Sequence, residues 1–166
     1  QARADRILKM FVGRQPKRML ELGCAEGFLT RHLSGVADRV VACDVSEVAV
    51  HRAAACCADL RNVHFMATDI RHRLPDGPFD ACLASDVLYY LSPREIQGLA
   101  NRLSDRMPVD SILVLANKWN VAYTDLTSPT QSHHLFVESG CWSSLSADDL
   151  DLGAGKSHFL GVLRRS

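Results

Sequence analysis

Short apolar runs alternate with stretches of helical period along most of this chain, and that alternation limits the fold to parallel strands joined by crossover segments. Residues 18–22, 39–44, 63–67, 79–84 and 111–116 read as five buried strands. Between them, residues 3–12 place Ile7, Leu8, Met10 and Phe11 on one side of a helix that Gly13 and Pro16 end. A short helix runs from Phe28 to about Leu33, and Ser46 caps another that carries Val48, Ala49, Arg52, Ala53 and Cys56 at helical spacing. Ser92-Pro93-Arg94-Glu95 is a complete capping box with proline at the first helical position, followed by Ile96, Leu99, Ala100, Leu103 and Met107 at a 3/4 spacing. Residues 70–78 are too few for a full crossover helix; extended, nine residues reach ~30 Å where ~22 Å is needed. After strand five, a polar stretch bearing aromatic residues runs to about His134, and residues 148–152 and 157–164, separated by Gly153-Ala154-Gly155, read as an antiparallel hairpin. The expectation is an α/β fold with a doubly wound, mostly parallel seven-stranded sheet and a C-terminal antiparallel hairpin.

A length of 166 residues suits one hydrophobic core, so residues 1–166 are read as a single domain. Nineteen Lys and Arg balance nineteen Asp and Glu, which removes any global field toward nucleic acid or an anionic membrane surface. The cationic runs Arg71-His72-Arg73 and Arg164-Arg165 read as solvated loop and tail charge. Six cysteines form no CxxC pair and mostly lie in apolar runs, as expected of reduced, buried thiols in a cytoplasmic compartment. No Cys/His spacing suits zinc, no metal is expected, and no apolar stretch reaches the ~18 residues of a membrane span.

The chemistry concentrates at strand ends. Glu21-Leu22-Gly23-Cys24-Ala25-Glu26-Gly27 leaves a strand and opens a helix, a turn in which small residues let backbone N–H groups approach a ligand. The glycine spacing of a dinucleotide fingerprint fails here, because Phe28 stands where the third glycine belongs. Asp44 ends strand two, 17 residues after Gly27, where a carboxylate can take both ribose hydroxyls or simply cap a loop. Thr68-Asp69-Ile70 ends strand three in the same manner, with Asp69 able to accept from an adenine amino group. In an open α/β sheet the ligand crevice lies at the carboxyl ends of the strands, so these acids converge by topology.

Together these residues resemble the class I S-adenosylmethionine-dependent methyltransferases, over residues 18–118. The resemblance implies a Rossmann-like fold and S-adenosylmethionine as cofactor, with S-adenosylhomocysteine as product. It implies that Glu21, Gly23, Cys24, Ala25 and Gly27 approach the methionine and ribose, that Asp44 binds ribose with Val45 beside the adenine, and that Thr68, Asp69 and Ile70 end the strand that meets the adenine. Ser85, Asp86 and Val87 would line the floor near the sulfonium. Ala25 replaces a frequent glycine, and Met107-Pro108-Val109-Asp110 lacks the usual turn before strand five. Within the class, Glu21–Ala25, Ala67–Ile70 and Asp86–Leu91 are similar to motifs of the Nod-factor N-methyltransferases, which implies the amine of an amino sugar or related metabolite as acceptor. A small-molecule O-methyltransferase and a noncatalytic cofactor-binding module are the alternatives.

At the acceptor side, Tyr89 and Tyr90 can wall the pocket or pack in the core, while Asn117, Trp119, Asn120 and Tyr123 offer amide donors and stacking area after strand five. Asp86 and His133, beside His134, are the candidates to take the acceptor's proton; a tyrosine or water is equally compatible with the sequence. The expected partner is a small molecule, with neither nucleic acid nor membrane. Strand one starts only about 18 residues in, whereas the resemblance implies a longer covering segment, so an N-terminal lid is expected to be missing ahead of Gln1.

Overall fold

A computed structural model describes residues 2–119, 127–151 and 157–166. Helix α1 (Ala2–Lys9) precedes β1 (Met19–Leu22), α2 (Phe28–Leu33), β2 (Val40–Asp44), α3 (Glu47–Cys56), β3 (Val63–Ala67) and β4 (Ala81–Ser85). A 3-10 turn (Leu88–Tyr90), α4 (Pro93–Ser104), β5 (Ile112–Lys118), α5 (Pro129–Glu138), β6 (Trp142–Asp151) and β7 (Ser157–Arg165) complete the chain. The strands form one seven-stranded sheet in the order β3-β2-β1-β4-β5-β7-β6. The first five pair in parallel and β7 joins β5 and β6 antiparallel, the arrangement expected from the alternating pattern.

The order reverses between β1 and β4, where consecutive crossovers leave on opposite sides of the sheet and open a crevice at the strand ends. Helices cover both faces of the central strands, so β1, β4 and most of β5 are buried throughout, as their continuous apolar runs require. Leu20, Leu22, Leu113 and Leu115 pack with Ile96, Leu99 and Leu103 of α4 and with Phe136 of α5. On the opposite face Met19, Val40 and Val114 pack with Ile7 of α1, Phe11 and Leu33. The Ser92–Glu95 capping box forms as read: the Ser92 hydroxyl accepts from the Glu95 N–H while the Glu95 carboxylate accepts from the Ser92 N–H at 2.8 Å. Residues 70–80 cross without a helix, again as their number dictates.

The C-terminal third departs from the reading. The polar stretch up to His134 contains the start of α5, capped by Ser128, whose hydroxyl accepts from the Gln131 N–H at 3.1 Å, with Pro129 at the first position. The same Ser-Pro signal that marks α4 was available, but α5 buries Ser132 and His133 beside Leu135 and Phe136, which blurs its apolar period. Strand β6 begins at Trp142, six residues earlier than the hairpin reading, because an edge strand rich in serine and aspartate shows little alternation. The Gly153–Gly155 turn lies outside the described residues.

Candidate active site

Four parallel strands deliver their terminal residues to one crevice, a cavity of about 870 Å³. The turn after β1 is fixed by backbone bonds: Gly23 and Cys24 N–H both donate to the Cys43 carbonyl, at 2.8 and 3.0 Å, and the Gly27 N–H donates to the Cys24 carbonyl at 2.9 Å. Gly23 and Gly27 take left-handed backbone, φ 79° and 85°, which glycine adopts without strain. At Gly23 a side chain would also stand 3.0 Å from the Val87 Cβ. Ala25 adopts φ 46° where a glycine would be easier, a cost of roughly 1–2 kcal/mol. Asp44 offsets it: one carboxylate oxygen accepts from the Ala25 N–H and the other from the Ser46 N–H, both at 3.0 Å, so one side chain holds two turns together.

Glu21, Gly23, Cys24, Ala25, Asp44 and Val45 all line the cavity, as do Thr68, Asp69 and Ile70. Gly27 does not; it sits behind the turn against Cys57 and Ala53, where it lets α2 approach α3. Glu21 is buried, accepts from the Thr30 hydroxyl at 2.6 Å through Oε2, and has no partner at Oε1. Burial pushes its carboxyl up to about 7 despite the opposing Thr30 bond, and nearby Asp44 adds to the rise. Burial also lifts the Cys24 thiol far above its ordinary range and the Cys43 thiol to about 12, so neither is a nucleophile. Asp69 is held at about 2 by the Arg71 side chain, which donates to both of its oxygens at 2.6–3.0 Å. That pairing leaves Asp69 less open to an adenine amino group than the sequence suggested, and it brings Arg71 into the wall.

Ser85, Asp86, Val87, Tyr89 and Tyr90 also line the cavity, and the two tyrosine rings lie 4.5 Å apart. Asp86 has φ 51° and a fully engaged carboxylate: Oδ1 accepts from the Lys118 N–H at 2.9 Å, and Oδ2 meets Nη1 of Arg3 at 2.8 Å. Arg3 also donates to the Ser85 hydroxyl at 3.1 Å and the Ala116 carbonyl at 2.9 Å. Asp86, a candidate to take the acceptor's proton, thus has both oxygens engaged and ties the ends of β4 and β5 while lining the cavity. Arg3 escaped that reading, although its i, i+4, i+8 relation to Ile7 and Phe11 puts it on the inward face of α1.

His133, Asn117 and Trp119 are not brought to the cavity. His133 is on the buried face of α5, with Nε2 2.9 Å from the Ser144 hydroxyl and its ring 5.6 Å from that of Phe159; burial holds its pKa below the usual histidine value. His134 is exposed, and its charge adds to the lowering at His133. Asn117 is buried with neither amide atom partnered, and the Trp119 indole donates to Asp149 at 2.6 Å. None of the three is among the residues that line the cavity, and Asn120 and Tyr123 lie outside the described residues. All six cysteines are free thiols, with Cys56 exposed rather than buried. Among the described residues no helix is long and apolar enough to cross a membrane.

A family model described as a methyltransferase domain matches residues 19–107, more than half of the chain and all of the strand ends described above through β4. This chain belongs to that methyltransferase-domain family. Phosphoethanolamine N-methyltransferase 1 of Arabidopsis thaliana is 28% identical over 100 residues, 58% of this chain and 20% of that protein. The malonyl-[acyl-carrier protein] O-methyltransferase of Magnetococcus marinus is 31% identical over 105 residues, 60% of this chain and 38% of that protein. The chain thus spans less than half the length of these curated relatives. Among solved structures, the N-methyltransferase NodS of Bradyrhizobium japonicum WM9, in complex with S-adenosyl-L-homocysteine, shares the fold with a TM-score of 0.86. It is 20% identical, and the match covers 99% of this chain and 86% of that one.

Proposed function

We propose that this chain, acting as a single domain, transfers the methyl group of S-adenosylmethionine to the amine of a small molecule such as an amino sugar. The observation that carries the reading is the Glu21 carboxyl: buried at the end of β1 with one oxygen unpartnered, it lines a cavity whose wall also holds the Gly23–Ala25 turn and Asp44. A nucleoside that carries a charged amino-acid tail fits those donors and acceptors, since the tail's amine supplies what Oε1 lacks. Asp44 would hold the ribose hydroxyls, Val45 and Ile70 would pack on the adenine, and Ser85–Val87 would form the floor. S-adenosylmethionine supplies an already electrophilic methyl group, so the protein's work is alignment and exclusion of water. The Tyr89 and Tyr90 faces suit a cationic amine. The N-methyltransferases among the similar proteins support an amine acceptor, and zero net charge supports a small one over nucleic acid.

A noncatalytic cofactor-binding module is the second reading, and the Arg3–Asp86 pair at the β4 end favours it by occupying polar groups that an acceptor would use. Calorimetry with S-adenosylmethionine and S-adenosylhomocysteine, followed by methyl transfer assays on amino sugars and matched hydroxyl compounds, tests both. Micromolar binding with turnover on amines is expected. No binding overturns both readings, turnover on hydroxyls alone transfers the proposal to oxygen, and binding without turnover favours the module.

A further inference from the structure

Two aspartates of the cavity wall, Asp44 after β2 and Asp69 after β3, differ in what they have left to offer a ligand. A carboxylate has about four lone-pair positions, two on each oxygen. Asp44 uses one on each: Oδ2 accepts from the Ala25 N–H and Oδ1 from the Ser46 N–H, both at 3.0 Å, so a hydroxyl can still donate to either oxygen. Asp69 has none to spare. Its Oδ1 accepts from the Arg71 backbone N–H at 2.9 Å and from Nε at 3.0 Å, and its Oδ2 accepts from Nε at 3.0 Å and from Nη2 at 2.6 Å. The backbone that carries this fork is pinned as well. The Asp69 carbonyl accepts from the His72 and Arg73 N–H groups, each at 3.0 Å, and Arg102 of α4 donates to the Ile70 carbonyl at 2.9 Å. Asp69 and Arg71 both line the cavity, so a guanidinium covers the acid at the point where the base of a nucleoside would meet this wall.

We propose that Arg71 withdraws Asp69 from recognition of the base, so that this site does not read the 6-amino group and takes purine nucleoside thioethers with or without it. The inference rests on the proposed cofactor reading and adds to it the specificity of the base end. An isolated exposed ion pair is weak, and the Arg71 side chain is 45% exposed. Its competitor here is weaker still. A neutral aromatic amine would bring one N–H to a carboxylate that already holds a planar, charge-assisted fork and a backbone N–H, and would have to displace them to reach a lone pair. With the fork in place the wall presents donors rather than an acceptor, and a 6-amino group is itself a donor. Affinity for the base then comes from packing against Val45 and Ile70, which is indifferent to the substituent at C6. Arg71 is thus a specificity-determining residue that acts through Asp69.

The experiment is calorimetry with S-adenosylhomocysteine and with its purine riboside analogue, which carries hydrogen in place of the 6-amino group and is otherwise the same molecule. The wild type should bind the two with Kd values within about threefold of each other, because no acceptor reads the amine. Arg71→Ala uncovers Asp69 and should bind the analogue about tenfold or more weakly than S-adenosylhomocysteine, the ratio that a hydrogen bond to a charged group supplies. Adding Asp69→Ala to Arg71→Ala should return the ratio to within about threefold, since the discriminating acid is then gone. Both side chains are partly exposed on a turn, so the substitutions leave the core intact. A wild-type preference for S-adenosylhomocysteine of about tenfold, an Arg71→Ala ratio no larger than that of the wild type, or a preference of about tenfold that survives loss of both residues would overturn the inference while leaving the cofactor reading intact. Failure of the wild type to bind S-adenosylhomocysteine would overturn the cofactor reading itself.

Discussion

The two halves of the crevice treat their polar groups in opposite ways. On the β1–β3 side, the acids sit at the ends of neighbouring parallel strands, and Glu21, which lines the cavity, keeps one oxygen without a partner. On the β4–β5 side, the chain answers its own polar groups: Arg3 reaches from α1 to Asp86, Ser85 and Ala116, and the Lys118 N–H completes Asp86. One side leaves an acceptor without a donor among the described residues, and the other holds two strand ends in register. Convergence of charged residues on a crevice therefore does not assign them a common task; the partner of each oxygen does.

That contrast can be broken by substitution. Asp44→Ala removes the acceptor of two turn N–H groups and the proposed ribose partner, and S-adenosylhomocysteine binding should weaken about 30–100-fold, or about 2–3 kcal/mol, by calorimetry. Gly161→Ala acts far from the ligand half: its Cβ would stand 2.4 Å from His133 Nδ1 and 2.9 Å from the Phe159 ring, so denaturant unfolding should show a loss of about 1–3 kcal/mol with unchanged cofactor affinity. Arg3→Met, measured in the same two assays, should cost about 1–2 kcal/mol of stability by leaving Asp86 without its cation, and should change cofactor affinity less than threefold. A larger loss of affinity than of stability would place Arg3 on the ligand side of the comparison. The smallest effect is expected for Ser92→Ala, about 1 kcal/mol from the lost cap, visible as a lower thermal midpoint and absent from binding.

The same division governs what the sequence made legible. Glu21, Asp44 and Asp69 could be placed at one edge because parallel strands with short turns fix where their last residues fall, whatever the side chains later contact. The order of elements up to α4 was readable for a related reason: buried central strands are continuous apolar runs, and α4 carries a complete capping box. The surroundings of His133 are not legible in a linear reading, because the Phe159 ring and Gly161 that pack against it come from β7, more than twenty residues on. Arg3 was invisible for the same reason, since its partners lie 82 and 113 residues away and no local pattern announces them. Asp86 was legible in part: its position was correctly expected at the β4 end, but the donors that occupy its oxygens come from β5 and α1.

Those separations also set an order of assembly during synthesis. The Asp44 bond to Ala25 spans 19 residues and can form once β2 has emerged, whereas Arg3 cannot reach Ala116 until nearly three-quarters of the chain exists. The first helix must wait for the fifth strand. A growing chain thus acquires the adenosine-side geometry early and closes the β4–β5 side late, so truncations that end before residue 116 leave the Arg3 side chain without the Ala116 carbonyl and Asp86 without the Lys118 N–H.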